Sequence, residues 1–234
     1  MKRLLLCFLL ISAVLLSAFA GDCANFVDIG FSKNGSVYLF GQYGITDSDF
    51  ESYAEIYAVD VQKNSFLPDG IFRTMPSSKT ASMSGKACFE NLKEKASYFI
   101  NQFDAEKTAV DNILYIRGAS KANPEDTIKV KDFENSTKDN ALYYTFQLVP
   151  HYEGKGENSK GSFFISVEKQ DASGKVLERK TVGNAERKRA GVTSYAIEKI
   201  LLDKSAKNFI VVVEKKVADK TGTSIRYMVE SFTF

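Results

Sequence analysis

Alternating apolar and polar positions dominate the chain after its first twenty residues, and this pattern predicts β-strands. "FVDIGF", residues 26–31, and "SVYLFGQY", residues 36–43, flank the turn Lys33-Asn34-Gly35. Asn and Gly accept the positive φ of tight turns, so the two runs predict a β-hairpin. "YAEIYAVDV", residues 53–61, alternates in the same way and predicts a third strand.

The period of the pattern then changes from that of a strand to that of a helix. Pro68 and Gly70 are expected to break the sheet first. The run from Ser84 to Phe103 predicts a helix capped by Ser82 or Ser84, because its apolar residues recur at helical spacing: Cys88, Leu92, Ala96, Phe99 and Phe103. "DAEKTAVDNILY" predicts a second helix, with Asp104 as its N-cap.

Strand patterns return in the second half of the chain. Seven runs separated by turn residues predict seven strands: "TIKVKDF", "ALYYTFQLVPHYEG", "GSFFISVEKQ", "KVLERKTVG", "VTSYAIEKILL", "NFIVVVEKK" and "SIRYMVESFTF". The sequence therefore predicts a mainly β, β-rich α+β protein. Its antiparallel meanders are expected to form a sandwich or a partial-propeller-like sheet with one helical insertion.

The first twenty residues, "MKRLLLCFLLISAVLLSAFA", have the features of a signal peptide. Lys2 and Arg3 precede an apolar run, and Ala18-Phe19-Ala20 fits the small-x-small cleavage pattern, which predicts cleavage between Ala20 and Gly21. Two alternatives are an uncleaved anchor and a lipid anchor on Cys23. We expect an exported protein, periplasmic or secreted, without a transmembrane segment in its mature chain.

The remaining residues, 21–234, are expected to form one compact domain in three regions. These are an N-terminal blade-like β-meander over 21–75, a helical segment over 76–118 and an antiparallel β region over 119–234. Loss of Lys2 and Arg3 leaves 29 of the 31 basic residues, equal to the 29 acidic residues. A balanced charge gives no global attraction to nucleic acid, so no nucleic-acid partner is expected.

The mature chain keeps two cysteines, Cys23 and Cys88. In an exported protein an even pair favours a disulfide, which would tie the helix to the terminal strand. The alternative is two unpaired thiols.

The stretch "DIGFSKNGSVYLFGQYG", followed by "YAEIYAVDV", resembles the blade motif of TolB-type periplasmic propellers. With "NFVDIGFSKNG", "FGQYG" and "RYMVESF", the chain resembles more closely a bacterial family of predicted secreted proteins that carries a domain of unknown function. That resemblance implies export and a blade-like start, and it implies no reaction. Residues 30–61 and 201–232 share a strand, turn, strand, loop and strand, as either a propeller-like repeat or the common likeness of β-meanders.

Catalytic motifs are mostly missing from the sequence. The single histidine, His151, has no recognisable nucleophile beside it and is expected at a strand end on the surface. Asp47, Asp49 and Glu51 supply oxygen ligands at alternating positions, which suggests either a Ca²⁺ site or a solvated acidic loop. No other cofactor is expected.

A basic segment, "ERKTVGNAERKRAG", is the densest cluster of positive charge. It carries Arg179, Lys180, Arg187, Lys188 and Arg189, which is compatible with a phosphate-bearing surface. No aromatic residue is interleaved for base stacking, and a solvated strand connection is the favoured interpretation.

Two functional hypotheses follow from these observations. The first is a non-catalytic exported protein that binds a protein or another partner in the cell envelope. The second is a hydrolase, with or without a metal ion, built on a carboxylate cluster: Asp47, Asp49, Glu55 and Asp60.

Overall fold

Three four-stranded antiparallel sheets and two short helices make up the part of the chain that the structure describes. The structure is a computed structural model that describes residues 21–118, 127–219 and 222–234. The predicted signal peptide, residues 1–20 with Ala20 at its end, lies outside these residues, so the cleavage site stays a prediction.

The first sheet contains four consecutive strands in the order β1-β2-β3-β4. They are β1 (Asn25–Phe31), β2 (Val37–Ile45), β3 (Ser52–Asp60) and β4 (Ser65–Thr74). The β1–β2 hairpin predicted from the sequence is present.

The turn of this hairpin depends on one glycine and one asparagine. Gly35 has φ 71° and donates its amide to the Ser32 carbonyl at 2.8 Å. Asn34 does not take positive φ; its side-chain oxygen instead accepts hydrogen bonds from Ser32 and Ser36. The turn is therefore closed by side-chain bonds on one side and by left-handed backbone on the other.

Strand β4 contradicts the prediction that Pro68 and Gly70 end the sheet. The pairing of β3 with β4 shifts register here, because Tyr57 pairs with Ile71 whereas Val59 pairs with Phe66. Proline is tolerated at bulges and on edge strands, and β4 is an edge strand. Pro68 and Gly70 thus lie in a bulge rather than at a strand end.

Two helices cover the outer face of the first sheet. They are α1 (Gly85–Lys95) and α2 (Ser97–Asn101), and Ser84 caps α1 by accepting from the Ala87 amide at 3.2 Å. The apolar stripe of α1 packs against buried β2 and β3 residues, including Leu39, Ala54 and Ile56. The helix predicted from Ser84 onward is present, although it is divided after Lys95.

The predicted second helix, starting at Asp104, is wrong. Asp104 has φ 46°, and the chain behind it runs along β1, where Glu106 and Phe31 exchange backbone hydrogen bonds at 3.0 and 3.1 Å. After a short 3₁₀ turn it forms β5 (Ile113–Ile116). Sheet pairing with β10 (Val192–Leu202) overrides the weak helical spacing of this segment.

The central sheet has the order β12-β11-β10-β5. Its long strands are β10 (Val192–Leu202), β11 (Asn208–Asp219) and β12 (Gly222–Thr233). The segment ahead of β1 also reaches this sheet, because Cys23 bridges to Ile225 of β12 in parallel orientation.

The third sheet has the order β6-β7-β8-β9. Its strands are β6 (Thr127–Asp132), β7 (Leu142–Glu153), β8 (Lys160–Gln170) and β9 (Val176–Ala190). All seven strands predicted in the second half of the chain are present, but β9 runs seven residues beyond its predicted end at Gly183.

The central sheet is packed on both faces. One face meets the first sheet through Ile210 and Val212, which cluster with Tyr38 and Phe40. The other face meets the third sheet, where Phe209 lies within 4.9 Å, between ring centroids, of Tyr144. The order of layers is therefore helix, first sheet, central sheet and third sheet.

This architecture confirms the predicted class, mainly β with antiparallel sheets and a helical insertion. The two meanders that share a plan, residues 30–61 and 201–232, belong to the first and central sheets, which pack face to face. The described residues form no closed barrel, and the resemblance to a propeller blade is not confirmed. No helix in the described part of the chain has the length and apolar character needed to cross a membrane.

The predicted disulfide between Cys23 and Cys88 is absent from the structure, in which both cysteines are free. Cys88 lies in the first turn of α1, buried against the first sheet, and has a side-chain contact with Thr74 of the edge strand β4. Cys23 instead precedes β1, at the opposite edge of that sheet, and pairs with β12. The first sheet itself therefore separates the two thiols.

Candidate functional site

A cleft of about 610 Å³ opens where all three sheets approach one another. Strands β2, β3 and β4 form one wall, β11 and β12 form the floor, and the end of β9 supplies the rim. Its size is in the range of small-molecule sites in proteins.

Positive charge dominates the lining of the cleft. It contains two carboxylates, Glu55 and Glu230, and five cationic side chains: Arg73, Arg187, Arg189, Lys215 and Arg226. This excess of three positive charges contrasts with the balanced charge of residues 21–234, which contain 29 basic and 29 acidic residues.

Three of the five cations already have carboxylate partners. Arg73 lies 3.2 Å from Glu55, and Arg189 lies 4.0 Å from Glu230. Arg226 makes a two-pronged ion pair with Asp22, in which Nη2 donates at 2.9 Å. Their positions in the cleft are therefore fixed by protein contacts.

Arg187 and Lys215 are the two cations without such partners. Neither side chain makes a hydrogen bond or ion pair with any residue that the structure describes. Arg187 is exposed on the rim, and Lys215 is partly buried on the floor. These two groups are available to a ligand.

The surroundings of Lys215 disfavour its charged form. Burial lowers the pKa of the Lys215 ammonium, the Arg189 charge lowers it further, and Glu55 opposes both effects only in part. Lys215 also lies directly opposite Arg226 in the β11–β12 pairing. Like charges at such positions repel each other, which adds to the strain on the cationic form.

Burial also disfavours the charged form of Glu230, and for a carboxyl group this raises the pKa. Burial raises the pKa of the Glu230 carboxyl, while the side-chain amide of Asn64 and the charge of Arg189 lower it. Asn64 is itself held in place, because its oxygen accepts from the Ser231 amide at 2.8 Å. The turn between β3 and β4 is thus tied to β12 at one end of the cleft.

The opposite end of the cleft is tied through Gln42. Its amide donates to Glu55 at 2.6 Å, and its oxygen accepts from the Tyr227 amide of β12 at 2.9 Å. A buried glutamine with both of its ends bonded holds the first and central sheets in fixed register at the cleft.

An aromatic row crosses the wall of the cleft. Phe26, Phe40, Tyr57 and Phe66, one from each strand of the first sheet, stack with successive centroid distances of 5.8, 5.0 and 5.2 Å. Phe40, Tyr57 and Phe66 face the cleft, and Phe66 remains 46% exposed. The cleft therefore places a flat apolar wall beside its cations.

The proposed hydrolase carboxylates are dispersed in the structure. Glu55 lies in the cleft, Asp60 pairs with Lys63 at 2.9 Å, and Asp47 and Asp49 lie in the β2–β3 loop. This arrangement does not bring the four side chains together around one substrate.

The calcium hypothesis gains no support from the geometry. Across the described residues, no three His, Cys, Asp or Glu side chains converge as a metal site, and this includes Asp47, Asp49 and Glu51. Asp49 bonds to Ser48 at 2.7 Å within its own loop. Calcium binding at this loop stays a prediction.

His151 lies on β7, exposed, with its ring 6.2 Å from that of Phe164. It is not part of the cleft lining.

Two residues of the basic segment, Arg187 and Arg189, line the cleft, although the sequence favoured a solvated strand connection for this segment. Residues 184–190 continue β9, and alternation places Arg187 and Arg189 together at the cleft. Lys188, between them, pairs with Glu153 at 2.6 Å away from it. The spacing Arg-Lys-Arg was the signal that could have identified them.

Comparison with known proteins gives one match. No curated protein and no solved structure matches this chain. The model of a family described as "Predicted secreted protein (DUF2259)" matches residues 39–232, which include every residue of the cleft lining. The chain therefore belongs to the DUF2259 family of predicted secreted proteins.

Proposed function

We propose that this secreted protein is a binding protein for a small anion that carries an aromatic or other apolar body. The observation on which the proposal depends is the presence of two uncommitted cations, Arg187 and Lys215, beside a stacked aromatic wall in one cleft. The ligand's anionic group would meet the cations, and its apolar body would lie against Tyr57 and Phe66.

The charge of the cleft favours an anion for an energetic reason. Lys215 is partly buried without a counter-ion and so loses hydration, and a bound anion replaces that loss with charge-assisted hydrogen bonds. Arg187 and Arg189 project from one strand and offer forked donors that suit a phosphate or carboxylate. Each such bond contributes about 1.5–3 kcal/mol.

The aromatic row favours an apolar body attached to that anion. Phe66 ends the row with nearly half of its surface exposed, so an additional ring or chain can continue the stack. Aromatic pairs of this kind contribute about 0.5–1.5 kcal/mol beyond the burial of area. A ligand with both parts should therefore bind more tightly than the bare anion.

Isothermal titration calorimetry with phenyl phosphate and inorganic phosphate tests this function. The wild-type protein should bind phenyl phosphate at one site, and more tightly than it binds inorganic phosphate. The double variant Arg187→Gln/Arg189→Gln should weaken that binding at least about tenfold, which corresponds to about 1.4 kcal/mol.

The matched control is Arg179→Gln/Lys188→Gln, which removes the same charge from the same strand outside the cleft. Its two residues pair with Glu168 and Glu153 at the surface. Binding by this control should stay within about twofold of wild type. Absence of saturable binding, or equal weakening in both double variants, would refute the proposal.

A further inference from the structure

We propose that Lys215 captures the ligand covalently and reversibly, so that the cleft takes an anionic aldehyde or α-keto acid and joins its carbonyl carbon to the lysine nitrogen as an imine. This inference rests on the proposed function, because the anion-binding groups would bring the carbonyl to Lys215. It adds to that function a reactive residue and a chemical class of ligand.

The position of Lys215 sets it apart from the lysines at the surface. Lys63, Lys188 and Lys204 pair with Asp60, Glu153 and Glu106 respectively. Lys215 lines the cleft and has no hydrogen bond or ion pair with any described residue. Its amine is therefore not held by a carboxylate that would keep it protonated and bonded.

The charged groups around Lys215 come from three neighbouring strands. Arg226 faces it from β12, Arg187 and Arg189 approach from β9, and Glu55 lies on β3. Desolvation and an adjacent cation are the two conditions that activate a lysine as a nucleophile. Both lower the pKa of the Lys215 ammonium here, burial having the larger effect.

The chemistry balances without an oxidant or a metal. The lone pair of neutral Nζ attacks the carbonyl carbon, a C–N bond forms as the C=O π bond breaks, and one Nζ proton is transferred to the oxygen to give a neutral carbinolamine. The hydroxyl then takes up a proton from solvent and leaves as water, while the remaining N–H proton is released to solvent and the C=N double bond forms. Added water reverses every step.

The same cations that disfavour the ammonium would hold the ligand's anionic group. An anion bound to Arg187 and Arg189 has its body beside Lys215, since all three residues line one cleft. Holding the reacting groups together raises their effective concentration, which is the main advantage over a surface lysine.

Labelling with pyridoxal 5′-phosphate, an anionic aromatic aldehyde, tests this inference. The protein is exposed to the probe briefly at pH 7.5, reduced with borohydride to fix the imine, and mapped by mass spectrometry. Lys215 should be labelled at least about tenfold faster than its exposed neighbour Lys216. Pyridoxal, which lacks the phosphate, should show a much smaller preference, and excess phenyl phosphate should protect Lys215.

Two charge-preserving variants complete the test. Lys215→Arg should abolish the fast labelling, whereas Lys216→Arg, outside the cleft lining, should change neither the labelling of Lys215 nor the binding of phenyl phosphate. If Lys215→Arg fails to fold, the relative labelling of Lys215 and Lys216 in the wild-type protein tests the imine by itself. Binding of phenyl phosphate without preferential labelling of Lys215 would overturn the imine but leave the proposed function standing. Absence of both would overturn both.

Discussion

The ion pair between Asp22 and Arg226 joins the segment ahead of β1 to the central sheet, and Asp22→Asn tests its contribution to stability. Asp22 is buried, and Arg226 donates to both of its carboxylate oxygens. Tyr53 also donates to Asp22 at 3.3 Å, and its ring lies 4.5 Å from the Arg226 guanidinium. Asparagine keeps the size of the side chain but removes its charge.

The expected loss of stability follows from the burial of the pair. Breaking a fully buried ion pair by removing one partner costs about 3–5 kcal/mol. The Arg226 side chain keeps 24% of its exposure, so water screens part of this effect and about 2–3 kcal/mol is expected. For a domain of this length that loss lowers Tm by roughly 4–12 °C.

Urea unfolding followed by far-UV circular dichroism measures this loss, and it suits a chain that contains no Trp. The control is Asp49→Asn, an identical change at an exposed loop position whose one hydrogen-bond partner among the described residues is its neighbour Ser48. The backbone bonds of Asp22 to β12, such as the Ile225 amide at 2.8 Å, remain in the variant.

A double-mutant cycle with Arg226→Gln isolates the pair itself. Asp22→Asn should cost little once Arg226 is absent, giving a coupling energy of about 2 kcal/mol. A coupling below about 0.5 kcal/mol, or a loss no larger than that of Asp49→Asn, would show that the ion pair does not stabilise the fold.

Three further predictions concern the core, the thiols and pH. Phe209→Ala should cost about 3–5 kcal/mol of unfolding free energy in urea titrations, because Phe209 is fully buried, whereas the exposed Phe50→Ala should cost under about 0.5 kcal/mol. In a protein that begins at Gly21, Ellman's reagent should titrate two thiols after denaturation but only Cys23 in the native state, and slowly at neutral pH because burial raises the pKa of both Cys23 and Cys88. Fewer than two thiols after denaturation would indicate a disulfide between Cys23 and Cys88. Burial raises the pKa of Tyr57 from 10.0 to about 12, so its stabilising contribution is complete below pH 10 and disappears as pH rises to 12. Tyr57→Phe should therefore flatten the decline of unfolding free energy across that window, and an unchanged slope would contradict the assignment.

The strands were predictable because their apolar residues alternate, and burial of one face requires that alternation. The sequence pattern was less informative where tertiary contacts determine the secondary structure. The segment behind Asp104 has residues compatible with a helix, but Phe31 and strand β10 offer it backbone partners that no local pattern reveals. A proline would interrupt a central strand, because it cannot donate a backbone hydrogen bond to a neighbour. Pro68 lies instead on the edge strand β4, where it is accommodated in a bulge.

The candidate site was mostly hidden from the sequence because its residues come from six strands of three sheets. Arg187 and Arg189 were visible as part of a basic segment, but their common face became clear only with β9 extended to Ala190. Lys215 and Arg226 meet because β11 and β12 pair in one register, which the sequence does not state. Residues dispersed in this way become a site only through strand order.

A crystal structure of the protein with phenylphosphonate, a stable analogue of phenyl phosphate, would show whether the cleft binds an aromatic anion. Phosphonate oxygens are expected within hydrogen-bond distance of Arg187, Arg189 or Lys215, with the phenyl ring against Tyr57 and Phe66. A cleft that is filled by protein side chains, or a ligand found only at surface lysines away from the cleft, would contradict it.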